Sequence, residues 1–107
     1  PAESLEKLPQ VQAVALFHIC QEALANIAKH ARARKVEVDV WVTKERALLE
    51  VRDDGRGFEP GQVRVALGHG LSNMVTRARN AGGEVDITSE PGSGTAILAW
   101  VPFSTES

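Results

Sequence analysis

The chain switches between two hydrophobic periods. From Gln10 to Arg32 apolar side chains recur every three or four positions, the spacing of a helical face. At about 100° per residue, Ala13, Phe17, Cys20, Leu24, Ile27 and Ala31 fall in one arc, the expected core stripe. From Lys35 to Thr43 the period drops to two, with Val36, Val38, Val40 and Val42 on one face and Glu37, Asp39 and Trp41 on the other. That alternation marks an antiparallel strand half open to water. Lys44-Glu45-Arg46 turns into a second strand, Ala47 to Arg52, where Ala47, Leu49 and Val51 face inward and bring Asp53 onto the same side. Phe58 to His69 has no period and reads as a short loop. A second helix is expected from about Leu71 to Ala81, with Met74, Val75 and Ala78 on its apolar side and Gly82-Gly83 as its stop. A last hairpin pairs Glu84–Ser89 with Thr95–Val101 about the turn Glu90-Pro91-Gly92-Ser93-Gly94. In it Val85 and Ile87 share a face, and Thr95 lies in register with Ile97, Ala99 and Val101.

This order predicts an α/β (α+β) two-layer sandwich, a mixed sheet covered on one face by helices. Residues 1–9 form a lead-in, 10–103 the domain and 104–107 a tail. With 107 residues, 43% of them hydrophobic, the chain has enough for one core and too little for two. A net charge of -2 argues against a general nucleic-acid binder. The cluster Lys29, Arg32, Arg34 and Lys35 is explained by the preference of cations for a helix C-terminus. The single cysteine, Cys20, cannot close an internal disulfide, which fits a reducing compartment; on the apolar arc it reads as a small buried hydrophobe. Neither a leading signal segment nor an apolar run near the roughly 20 residues of a membrane span is expected.

Chemistry concentrates at Asp53-Asp54-Gly55-Arg56-Gly57-Phe58. An inward acid costs on the order of several kcal/mol unless hydrogen-bond donors meet it. Gly55 and Gly57 remove side chains where something must approach backbone. A small-molecule pocket satisfies both demands, although so short a motif also reads as a plain strand-end turn. On one flank of the first helix Glu22, Asn26, Lys29 and His30 fall within an arc of about 100°. Carboxylate and amide oxygens suit Mg²⁺, which bridges substrate phosphates, and lysine offers a point charge to phosphate. The same residues equally fit the polar border of an amphipathic helix. Gly68-His69-Gly70-Leu71 would leave bare amides at a helix start for an anion, or simply begin the helix. The inward Thr95 is placed to assist Asp53 or to be a satisfied strand threonine.

The order of these features, Glu22-x-x-x-Asn26, Asp53-x-Gly55-x-Gly57-Phe58, Gly68-x-Gly70-Leu71 and Gly94-Thr95, resembles the ATP-binding domain shared by gyrase, Hsp90, histidine kinases and MutL, the Bergerat or GHKL fold. The resemblance covers roughly residues 10 to 102. Gln21 to Ala31 is similar to the N box of bacterial sensor histidine kinases paired with NarL-type response regulators, as is the compact stretch between Phe58 and Gly68. It implies ATP and Mg²⁺ as cofactors. Asp53 would accept a hydrogen bond from the adenine amine, with Thr95 helping through water, and Gly55 and Gly57 would admit the purine. Asn26 would coordinate Mg²⁺, and Glu22 would orient a magnesium-bound water or assist proton transfer. Lys29 and His30 would lie near the phosphates; Gly68, Gly70 and Leu71 would form a lid hinge whose amides meet the triphosphate.

The resemblance further implies a cytoplasmic protein histidine kinase catalytic domain, monomeric by itself. It would pass the γ-phosphoryl of ATP to a histidine on a separate dimerisation domain, for relay to a response regulator. The family's phosphoacceptor histidine is followed by an acid, whereas His18, His30 and His69 precede Ile19, Ala31 and Gly70, so the acceptor is expected elsewhere in the full-length kinase. Val75 stands where relatives often carry arginine. Other functions on the same fold are an anti-sigma type serine kinase, an ATPase in which Glu22 activates water, and a non-catalytic nucleotide-binding module.

Overall fold

The computed structural model describes residues 5–30, 35–55 and 63–103. A single 3-10 turn, Leu5–Lys7, leads into helix α1, Gln10–His30; helix α2 spans Val63–Asn80. The strands are β1 (Val36–Val42), β2 (Arg46–Asp53), β3 (Glu84–Glu90) and β4 (Gly94–Pro102). The Pro9 carbonyl accepts from the Ala13 amide at 3.0 Å and starts α1. The sheet order is β1-β2-β4-β3, and every neighbouring pair is antiparallel. A mixed sheet was expected, and the β2–α2–β3 crossover does join two strands running the same way. The final hairpin instead inserts β4 between them, so no two parallel strands touch.

The helices lie on one face of the sheet, α1 over β2 and β4, α2 over β4 and β3. Ala47, Leu49, Val51, Ile97, Ala99 and Val101 point into the core with the spacing expected of them. The face of α1 differs from expectation. Leu16, Ile19, Ala23 and Ile27 are buried, whereas Phe17 is 61% and Leu24 40% exposed and Ala13 is also exposed. Cys20, on the border between these faces, is half-buried, and burial pushes its thiol above its usual range. Ala31 lies outside the described residues. The helix is apolar on nearly all sides, so the wheel offers two stripes, and contact with α2 selects the one carrying Asn26. By length and composition Gln10–Ala28 is apolar enough to cross a membrane, contrary to expectation. Here it packs as a core helix, with Leu16 and Ile19 against the sheet.

Helix α2 starts earlier than expected, at Val63, so Gly68 and Gly70 sit within it. Glycine costs about 1 kcal/mol in a helix relative to alanine, which weakens a helix without ending it. Past the glycines Leu71 is half-buried and Met74 and Ala78 are buried, so the apolar stripe follows directly on Gly70. The stop falls as expected. Gly82 has φ 90°, and the Gly82 and Gly83 amides donate to the carbonyls of Arg79 (3.0 Å) and Ala78 (2.7 Å), which closes the helix in a Schellman turn.

Helical cover stops short of β1, whose inward Val36, Val38 and Val40 remain 40%, 44% and 45% exposed. The far face of the sheet meets water. There Arg52 pairs with Glu37, Asp39 and Glu50 at 3.2–3.5 Å, and the Arg46 guanidinium lies 3.8 Å over the Trp100 ring. Exposed pairs of this kind contribute only about 0–1 kcal/mol each.

Candidate functional site at the open end of the sheet

Alternation along β2 delivers Asp53 to the helix-facing side at the last position of the strand. The ladders set it opposite Thr95 of β4, and Thr95 opposite Ser89 of β3. A polar row thus crosses three strands, with Asp53, Thr95 and Ser89 all buried. Asp53 Oδ1 accepts from the Gly55 amide at 2.8 Å; Oδ2 is buried with no partner. Leaving such an atom unmet costs about 1–3 kcal/mol, so the position favours a donor from outside the chain. The neighbouring acid has a different task. Asp54 Oδ1 accepts from the Lys35 amide at 2.9 Å, and the Asp54 amide donates to the Lys35 carbonyl at 3.2 Å, tying off the β1–β2 hairpin.

Gly94 lets β4 come this close. Its φ is 82°, and a Cβ there would lie 2.0 Å from the Asp53 carbonyl oxygen, so only glycine fits. A cavity of about 260 Å³ opens beside the row, bordered by Asp53, Ser89, Ser93, Gly94 and Thr95. Arg52, Thr88 and Ala96 also border it, and by alternation they belong to the far face, so the cavity wraps the end of the sheet.

A second cluster sits where the helices meet. A Cβ on Gly70 would lie 2.8 and 3.0 Å from Asn26 Nδ2 and Oδ1 and 3.0 Å from Glu22 Oε2. Gly70 therefore backs directly onto the Glu22 and Asn26 side chains. Asn26 is buried and its Nδ2 has no partner; Glu22 is half-buried. Among the described residues no three His, Cys, Asp or Glu side chains converge as a metal cage.

The two clusters share one end of the molecule. At the opposite end Gln12 Nε2 donates to the Ala81 carbonyl at 3.2 Å, and Gly83 abuts the Trp100 carbonyl. Asn26, Gly70, the end of β2 and the start of β4 all lie away from it. The glycine amides are a correction: Gly68 and Gly70 lie beyond the first turn of α2, so their N–H groups are used within the helix and are not presented to an anion. Leu71 is half-buried on the same helix. Gly57, and the side chains of Lys29, His30 and His69, lie outside the described residues. His18 is half-buried and meets the Phe17 ring edge-on at 5.8 Å. Ser89 was expected only to end a strand. Its register with Thr95 about a Pro-Gly turn was the signal that would have placed it in the row.

Fold and open end together are those of a nucleotide-binding ATPase domain. The chain belongs to the histidine kinase-, DNA gyrase B-, and HSP90-like ATPase family, which it matches over residues 11–105. It is 41% identical over 91 residues to the sensor histidine kinase LiaS of Bacillus subtilis, covering 85% of this chain and 25% of LiaS. To the signal transduction histidine-protein kinase/phosphatase UhpB of Salmonella typhimurium it is 39% identical over 90 residues, 84% of this chain and 18% of UhpB. The histidine kinase domain of the Erythrobacter litoralis EL346 blue-light activated histidine kinase shares the fold, with a TM-score of 0.75 and 24% identity over 89% of this chain and 46% of that one. The chain spans a quarter or less of the length of these two curated relatives. It is an ATP-binding domain of the sensor histidine kinase type.

Proposed function

We propose that this domain is the catalytic part of a two-component sensor histidine kinase: it binds ATP with Mg²⁺ at the open end and passes the γ-phosphoryl to a histidine on a dimerisation domain, for relay to a NarL-type response regulator. The observation that carries the reading is Asp53, a buried carboxylate with one oxygen unmet at the mouth of a cavity, in a chain of this family. Its free oxygen matches the exocyclic amine of adenine. Thr95 assists through water, and Gly55 and Gly57 leave the purine room against backbone.

Asn26 would hold Mg²⁺, which neutralises phosphate charge and orients the triphosphate when bound. Glu22, behind Gly70, orients a water of the ion or assists proton transfer, and Lys29 and His30 would serve the phosphates. Phosphoryl transfer asks for positioning and charge neutralisation and needs no nucleophile from this domain. Cys20 as the sole thiol supports a cytoplasmic setting.

Calorimetry with a non-hydrolysable ATP analogue, with and without Mg²⁺, is expected to show binding strengthened by the ion. Joined to the histidine-bearing segment of its full-length protein, the domain is expected to yield acid-labile phosphoprotein. No binding at millimolar analogue, acid-stable phosphoserine, or free phosphate without protein label would each overturn the assignment.

A further inference from the structure

The β1–β2 ladder ends on half a rung. Val36 pairs with Asp53, and the next pair outward, Lys35 with Asp54, falls where two antiparallel residues ordinarily exchange both main-chain bonds. One of the two is made, the Asp54 amide donating to the Lys35 carbonyl at 3.2 Å. The other goes to a side chain: the Lys35 amide donates to Asp54 Oδ1 at 2.9 Å. A carboxylate that takes a ladder amide competes with the strand and releases the main chain from its direction. The Gly55 amide then turns back and donates to Asp53 Oδ1 at 2.8 Å, closing an Asx turn. A strand carried on through Asp54 would set Gly55 about 6.6 Å along from Asp53 and take its amide away from that carboxylate. On the other side β4 crowds the same point, since a Cβ on Gly94 would lie 3.2 Å from Asp54 Cα. The Asp54 main chain is thus held from both flanks while the residue itself stays exposed.

We infer that Asp54 is a positioning residue for the ligand-binding acid: by taking the Lys35 amide onto its side chain it turns the chain at Gly55, so that the Gly55 amide holds Asp53 Oδ1 and leaves Oδ2 to the adenine amine. The inference rests on the nucleotide-binding reading above. Asp54 acts through Gly55 and Asp53. Without an acceptor at position 54, the Lys35 amide is left to the main chain of the same residue, the ladder gains its missing half-rung, and Asp53 loses the donor that fixes its orientation.

The test measures ADP affinity by calorimetry, and amide hydrogen exchange, on the 107-residue chain. Asp54→Ala should weaken ADP roughly three- to tenfold, the worth of one hydrogen bond. Asp54→Asn loses the charge and keeps the acceptor, so it should bind ADP within about twofold of wild type. Exchange supplies the local readout. In Asp54→Ala the Gly55 amide should exchange on the order of tenfold faster, whereas the core amides of Val51 and Ile97 keep their protection; in Asp54→Asn all three should match wild type. Unchanged ADP affinity in Asp54→Ala, or an Asp54→Asn affinity as weak as that of alanine, overturns the role of Asp54 and leaves the nucleotide site standing. Loss of protection at Val51 and Ile97 in Asp54→Ala overturns it equally, because the acid then serves the fold as a whole. Failure of wild type to bind ADP overturns both readings.

Discussion

The two ends of the helical layer handle buried polar groups differently. At the closed end Gln12 reaches across 69 positions of sequence to the Ala81 carbonyl, and the Schellman turn at Gly82 returns the other polar groups to the chain. At the open end, about 21 Å further along α1 at 1.5 Å per residue, Asn26 and Asp53 each keep an atom with no partner. Gln12 Oε1 is also unmet, so one such atom does not identify a site. The open end differs in company. An acid, an amide and a hydroxyl row arrive there from separate elements, beside a cavity and two glycines that a side chain would displace. Polar groups inside one end hold the fold; at the other they face outward to a visitor.

A single methyl group should separate the ends most strongly. Alanine at Gly83 would place Cβ 1.8 Å from the Trp100 carbonyl oxygen, and at Gly94 2.0 Å from that of Asp53. Each is expected to cost about 3 kcal/mol or more in denaturant unfolding, at the severe end of overpacking. Only Gly94→Ala disturbs Asp53, so in the folded fraction only that variant should lose ATP-analogue affinity. Asp53→Asn comes next. Losing a hydrogen bond to a charged acceptor, about 2–3 kcal/mol, should weaken the analogue on the order of a hundredfold. Stability should hold or rise slightly, because a desolvated charge is removed; a large fall would make Asp53 a structural acid. Asn26→Ala should lower the affinity gained from Mg²⁺ by roughly tenfold and change metal-free ADP binding less, in titrations with and without the ion. The smallest effect belongs to the closed end: Gln12→Leu should cost about 1 kcal/mol of stability and leave nucleotide binding unchanged.

Strands were the legible part of the sequence. A period of two reports its inward face without ambiguity, and Asp53 and Thr95 were located by parity alone. Helix α1 was harder, because Phe17 and Leu24 make as good a stripe as Leu16, Ile19 and Ala23, and only the position of α2 decides between them. Helix α2 was read short because paired glycines resemble a helix entry. Gly70 serves a contact invisible to local pattern, the closeness of Glu22 and Asn26. Ser89 escaped for a related reason, since its importance lies in a partner across the hairpin.

The position of β4 sets an order of events. It is the last strand of the domain to leave the ribosome, yet it belongs between β2 and β3. A nascent chain can therefore present Asn26, Asp53 and Gly70 while Thr95 is still in the exit tunnel. Such a chain has a gap where its central strand belongs, and long-range pairings of this kind form slowly. Competence for nucleotide then arrives as a single late step, when the final strand docks and supplies the glycine and the threonine together.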